Sequence, residues 1–223
     1  MPINRTEGDV RTPIVRSPEG MLSLIKEYRL IPFFANQIPG YSIEEHTPRE
    51  SWFTQDDLGP WDWKIDCVRS GDIAYGKFLC GGKASFATVD VYSELMNWRR
   101  SLPKYKPSTG QRKVLDYVHE NGSISVQEVR KLMGINKAAA DALISKIQMQ
   151  TRLVTGDIIR VYRGPDLKYS GWQRSSFCTP DDLFEGYLSS SLTPAESLQF
   201  LKDIIRKVCG DVPDKFLMKI LGC

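Results

Sequence analysis

Two glutamines flank a methionine in the stretch "ISKIQMQTRLV", residues 144–154, where the pattern predicts the end of a helix. Glutamine suits an apolar core poorly, because a buried amide must find hydrogen-bond partners or cost about 1–3 kcal/mol. The pair therefore faces solvent, braces the fold or handles a substrate. At about 100° per residue, Ala140, Leu143, Ile147 and Gln150 share one stripe, and Lys137, Asp141, Ile144 and Gln148 share another. The first is expected to be the core side. That puts Gln150 at the inner end of a buried face, bonded to free backbone groups where the helix ends. It puts Gln148 on a more open face.

Other chemistry-bearing types are sparse. The two histidines, His46 and His119, cannot supply a His-rich metal site. Cys67, Cys80, Cys178, Cys209 and Cys223 are scattered without a CxxC pair, which points away from a zinc ribbon or a thioredoxin-type site. There is no P-loop, GxGxxG, GxSxG or internal repeat, and neither a metal nor a cofactor is expected. With 41% hydrophobic and 26% charged residues, the 223-residue chain reads as an ordinary globular protein. No apolar run approaches the ~18 residues of a membrane helix, and the N-terminal stretch lacks a hydrophobic signal core. A cytoplasmic protein without a membrane partner is expected.

The net charge of +3 is unevenly spread. Residues 1–100 carry 12 Lys/Arg against 14 Asp/Glu, residues 101–175 carry 13 against 6, and residues 176–223 carry 5 against 7. All the excess positive charge thus lies in the middle third, which points to a polyanion there.

The elements that must position these residues are legible in part. "RSPEGMLSLIKEYRL" predicts a helix with Ser17 as N-cap and Met21, Leu24, Ile25 and Tyr28 as its apolar stripe. "IPFFANQIPGYSIEE" reads as a loop, and Thr47-Pro48-Arg49-Glu50 as a capping box opening a short helix. "WDWKIDCVR" alternates, with Trp61, Trp63, Ile65 and Cys67 on one face, which predicts a half-buried strand. "DIAYGKFLCGGKASFAT" predicts two strands turning at Gly81-Gly82, and "VDVYSELMNWRR" a helix. "SLPKYKPSTG" reads as a linker. Three helices follow, capped by Ser125 with Glu128 and by Asn136, then two short strands around Gly156-Asp157. That order predicts a winged helix, with its third helix as the usual groove reader. "YSGWQRSSFCT" suggests another strand, and helices are expected from Thr179-Pro180, from the Thr193–Glu196 capping box and over "VPDKFLMKILGC".

The strings "IPFFANQIPGYSIEEHTP", "WF", "GPWDWK", "AYGKF", "NWRR" and "IQMQTRLV", over residues 31–163, resemble a bacterial family related to AlkZ. The resemblance implies a winged-helix protein associated with DNA. AlkZ proteins are DNA glycosylases that remove alkylated or crosslinked purines, and their signature is glutamine, hydrophobic residue, glutamine, positioning and polarising the attacking water. Gln148, Met149 and Gln150 match that signature, which makes Gln148 and Gln150 the catalytic candidates. AlkZ proteins are longer, with tandem winged helices near the N-terminus and a β-barrel, whereas one winged helix is found here, late in the chain. Hydrolysis of an N-glycosidic bond also needs a flipped base to be held and stacked. Glu44 and Glu45 are candidate carboxylates, or a solvated loop pair. Trp52, Trp61, Trp63, Phe33 and Phe34 could stack a base, or pack the core.

The expected architecture is α+β. A small mixed N-terminal part with a β-hairpin spans 1–103, a winged-helix unit 104–175, and a C-terminal helical segment 176–223 that packs on both. Duplex DNA is the expected partner, with Asn136, Lys137, Asp141, Arg160 and Arg163 as contacts. A DNA glycosylase and a non-catalytic protein-interaction scaffold are the alternatives.

Overall fold

The computed structural model describes residues 15–55 and 57–222. Cys223 and most of the N-terminal stretch read for a signal core lie outside them. Helix α1 (Pro18–Tyr28) starts where the Ser17 side chain accepts from the Gly20 amide at 3.1 Å, and it buries the expected Met21, Leu24, Ile25 and Tyr28. The next stretch is more ordered than the expected loop. Strand β1 (Leu30–Pro32) lies at a sheet edge, where proline's missing amide costs no ladder bond. Helix α2 (Ile43–His46) is capped by Ser42, so the expected Thr47 box does not form; only a 3-10 turn follows at Arg49–Ser51.

The stretch "WDWKIDCVR" is helix α3 (Pro60–Arg69), not a strand. Gly59 opens it with a φ of +65°, and a Cβ there would lie 1.9 Å from the Ser51 carbonyl oxygen. The misleading alternation has a physical cause. Residues two apart on a helix point about 200° apart, so a helix buried on two opposite sides also alternates. Trp63 and Cys67 enter the main core, whereas Ile65 and Val68 pack on Ile158 in a separate cluster.

Strands β2 (Ile73–Leu79) and β3 (Lys83–Thr88) form the expected hairpin, in a sheet ordered β1-β3-β2. Helix α4 (Val89–Ser101) follows. The expected linker after it is a 3-10 turn, Pro103–Tyr105, pinned by the buried Tyr105, whose hydroxyl donates to the Gly222 carbonyl at 2.8 Å.

Helix α5 (Thr109–Asn121), strand β4 (Ile124–Ser125), helix α6 (Val126–Met133) and helix α7 (Lys137–Met149) come next. Ser125 and Glu128 form the expected capping box, and Asn136 caps α7 through a 2.9 Å bond from the Ala139 amide. Gly156 is a register shift inside one long strand, β5 (Val154–Arg163), and not a hairpin turn. A Cβ on Gly156 would lie 2.8 Å from the Cys178 sulfur. Strand β6 (Lys168–Cys178) pairs with β5 and β4 in a second sheet, ordered β4-β6-β5.

Helices α8 (Pro180–Leu183), α9 (Pro194–Cys209) and α10 (Asp214–Leu221) complete a mixed α/β fold. Leu201 and Ile205 of α9 and Leu217 of α10 share one core with α1, α4 and the first sheet. Helices α5, α6 and α7 close a second core with Ile124 and Phe177. Among the described residues no helix is long and apolar enough to cross a membrane.

The two faces of α3 differ measurably. Trp63 is 5% exposed and Trp61 only half-buried. Trp63→Ala should cost about 3–5 kcal/mol in denaturant unfolding. Trp61→Ala should cost on the order of 1–2 kcal/mol, chiefly one hydrogen bond and part of a ring. Equal losses would contradict the helix, because a strand would put both rings on one face.

Candidate functional site

Helix α7 ends at a junction of four elements. Its buried stripe is Ala140, Ile144 and Ile147, continued by the buried Thr151, while Leu143 is half-exposed. This corrects the expected stripe by about one residue's rotation. The two glutamines then fall on opposite flanks of the stripe, and both are buried: Gln148 is 1% exposed and Gln150 6%.

Gln148 turns to the edge of the first sheet, so the open placement expected for it is wrong. Its Oε1 accepts from the Lys77 amide at 3.2 Å, and its Nε2 donates to Thr155 Oγ1 at 3.4 Å. Strand β2 is an edge strand whose register shifts between Gly76 and Leu79. The amide thus satisfies a backbone donor on a partly buried sheet edge, where an unmet one is costly. Gly76 makes the approach possible, since a Cβ there would lie 2.9 Å from Gln148 Nε2.

Gln150 turns to α5 instead. Its Nε2 donates to Gln111 Oε1 at 2.9 Å, and that same oxygen accepts the Ser108 amide at 2.7 Å in the α5 capping box. Gln150 was expected to bond backbone groups; its side-chain donor goes to another amide, and its buried Oε1 has no hydrogen-bond partner among the described residues. Thr151, at a φ of +55°, turns the chain towards β5.

The carbonyls at this helix end are held by the "NWRR" arginines. Arg99 is fully buried; it donates to the Met149 carbonyl at 3.0 Å and to the Leu221 carbonyl, at the end of α10, at 2.6 Å. Arg100 donates to the Thr151 carbonyl at 2.8 Å and pairs with Asp181 at 3.2 Å. Neither arginine was singled out as functional. A buried charge on an amphipathic helix leaves no periodic trace.

A second polar cluster clamps the β5–β6 ribbon to α3. Asp62 accepts from Arg160 Nε at 3.0 Å and Gln173 Nε2 at 2.8 Å, and also from the Tyr169 hydroxyl. The Trp61 indole donates to the Gly171 carbonyl at 3.0 Å. Lys64 sits beneath, its Nζ 3.6 Å from the Trp61 ring centroid and bonded to the Trp61 carbonyl. Burial strips its ammonium of water and lowers its pKa to about 7, against the opposing pull of Asp62. A cleft of about 390 Å³ beside the clamp is lined in part by Asp62, Trp63, Asp66, Arg160 and Tyr169. A second, of about 480 Å³, lies between α4 and the start of α9, beside Asn97 and Arg100. Neither Gln148 nor Gln150 lines either cleft.

The remaining candidates are dispersed. Glu44 accepts from the Ala35 amide, and Glu45 from the Gly40 amide and the Ser42 hydroxyl, so both brace their own loop. Trp52 packs edge-on against the buried Phe33 at 5.8 Å, and Phe34 lies beside that ring at 4.8 Å. Trp63 donates to Asp57 at 2.8 Å. Lys137 is exposed and Asp141 half-exposed on α7, and Arg163 lies over Trp172 on the ribbon. Of Glu44, Glu45, Trp52, Trp61 and Trp63, Trp63 alone lines either of the two clefts described above. Among the described residues no three His, Cys, Asp or Glu side chains gather so as to hold a metal ion.

The model of a family described as AlkZ related matches residues 15–222. Among solved structures, the DNA glycosylase AlkZ of Streptomyces sahachiroi is similar, with a TM-score of 0.45 and 10% sequence identity, over 89% of this chain and 58% of that one. This chain thus spans less than two thirds of the length of that protein. No curated protein sequence matches.

Because each glutamine is buried and bonded, both should matter to folding. Gln148→Ala should destabilise by about 1–3 kcal/mol, since it strands the Lys77 amide, and Gln150→Ala by about 1 kcal/mol. Chemical denaturation reads both. A loss below about 0.5 kcal/mol for Gln148→Ala, the size of an ordinary surface change, would remove its bracing role.

Proposed function

We propose a function from one premise: this chain belongs to the AlkZ-related family. On that premise it is a DNA-binding protein of DNA repair, whose partner is duplex DNA in the cytoplasm. Residues 104–175 are the DNA-facing unit, a winged helix. Residues 1–103 support it, and residues 176–223 bind the two together. The arrangement of α5, α6 and α7 with a sheet ordered β4-β6-β5 supports the winged-helix reading.

The observation that carries the proposal is uncompensated charge. Residues 101–175 hold 13 Lys/Arg against 6 Asp/Glu. Among the described residues, Arg160 is the one cation of that segment in an ion pair. A folded unit that leaves its cations unpaired maintains a positive field, and DNA phosphates are the polyanion such a field collects. Lys137 and Asp141 on α7, Arg163 on the ribbon and the amide of Asn136 remain the proposed contacts. Arg160 acts through the fold instead, because Asp62 already neutralises it. The buried, divergent amides of Gln148 and Gln150 support a bracing role over a catalytic one.

Two measurements on a mixed-sequence duplex carrying 7-methylguanine test both parts, fluorescence anisotropy for binding and chromatography for released base. Lys137→Glu should weaken binding and flatten the dependence of log affinity on log salt by about one contact. Wild-type protein should release no more 7-methylguanine than a heat-denatured control. Unchanged affinity and slope would remove the DNA reading. Base release by the wild type that is lost in a Gln148→Ala variant still folded by circular dichroism would replace bracing with catalysis.

A further inference from the structure

The β5–β6 ribbon has two unlike faces. On the inner face, Tyr169 and Gln173 of β6 and Arg160 of β5 all converge on Asp62, and Arg69 of α3 bonds Asp157 at 3.0 Å. On the outer face, Lys168, Ser170, Trp172 and Arg174 alternate along β6, and all four are exposed. Ile159 stands opposite Arg174 in the register and shares that face. Trp172 is 52% exposed and Ile159 48%. The Arg163 guanidinium lies 4.5 Å from the centre of the Trp172 ring.

Folding does not account for this face. A half-exposed indole contributes little to a core, and a row of cations with no ion pair among the described residues contributes less. Large exposed aromatics set among cations have the composition of a nucleic-acid surface, where rings stack on bases and cations hold phosphates. Within a duplex, each paired base has both faces covered by its neighbours. Only an unpaired base offers a free face to an indole.

We infer that the outer face of the ribbon binds an unpaired nucleobase, with Trp172 stacking on it and Arg163, Lys168 and Arg174 holding the flanking phosphates. The inference rests on the DNA-binding reading above and names the form of DNA that the chain prefers. The indole makes the contact and the cations supply the attraction, so the preference is for shape and not for sequence.

The test compares the full chain on a fully paired duplex and on the same duplex with one extra unpaired base. Wild type should bind the second about tenfold more tightly, the scale of a single base stack. Trp172→Ala should lose that preference, its affinities for the two duplexes becoming equal, and Trp172→Phe should keep most of it. The melting temperature of Trp172→Ala should match wild type, because the ring is not in a core. Equal wild-type affinity for the two duplexes, or a preference that survives Trp172→Ala, would overturn the inference and leave the DNA-binding reading standing. Binding to neither duplex would overturn both.

Discussion

One buried guanidinium governs the geometry of this fold. Arg99 is wholly removed from solvent and donates to the carbonyls that end α7 and α10. Burying an arginine is expensive unless its donors are met. Helix C-termini meet that need twice over, since their last carbonyls lack partners within the helix and carry the negative end of its dipole. Tyr105 adds its ring at 5.3 Å. Gly222 leaves the room: its φ is +84°, and a Cβ there would lie 3.3 Å from Arg99 Nη2 and 2.9 Å from Met149 Cε. The arginine thereby ties α4, α7 and α10 at one point, and the sheet edge and α5 are joined to that point through the two glutamines.

The glutamine–methionine–glutamine signature takes its meaning from this point. Residues two apart on a helix diverge, so Gln148 reaches β2 and Gln150 reaches α5, while the Met149 carbonyl between them faces Arg99. Three of the strings that carry the sequence resemblance, "AYGKF", "NWRR" and "IQMQTRLV", meet here in space. Their contacts are between amide, guanidinium and backbone, the pairings that keep polar groups in a protein interior. The exposed cations of the basic segment lie elsewhere, on the outward faces of α6, α7 and the ribbon.

Much of this was legible from caps and hairpins. Ser17, Ser125, Asn136 and Thr193 each cap the helix assigned to them, because a side chain that meets an orphan amide acts locally. The hairpin at Gly81-Gly82 was equally local. Failures came where one element serves two layers. Helix α3 buries opposite faces, so its pattern imitated a strand. Helix α7 packs on its own three-helix core and on β2, so its buried arc was wider than one apolar stripe and took in Gln148. Gly156 punctuates a long strand as a bulge, which a turn-forming residue type cannot reveal without its partner strand. Of the candidate site, the glutamines and the basic segment were readable as types. Lys77, Gln111 and Arg99, their partners, are brought to them only by the tertiary fold.

Arg99 joins two helix ends, and hydrogen exchange reads that joint directly. In Arg99→Met, which keeps bulk but removes the donors, backbone amides in the last turns of α7 and α10 should lose protection together, by a factor of about ten or more. The Lys77 amide, held by Gln148, should follow them. Protection of both helix ends at wild-type levels, or loss at one end alone, would contradict the claim that a single buried charge fixes this junction.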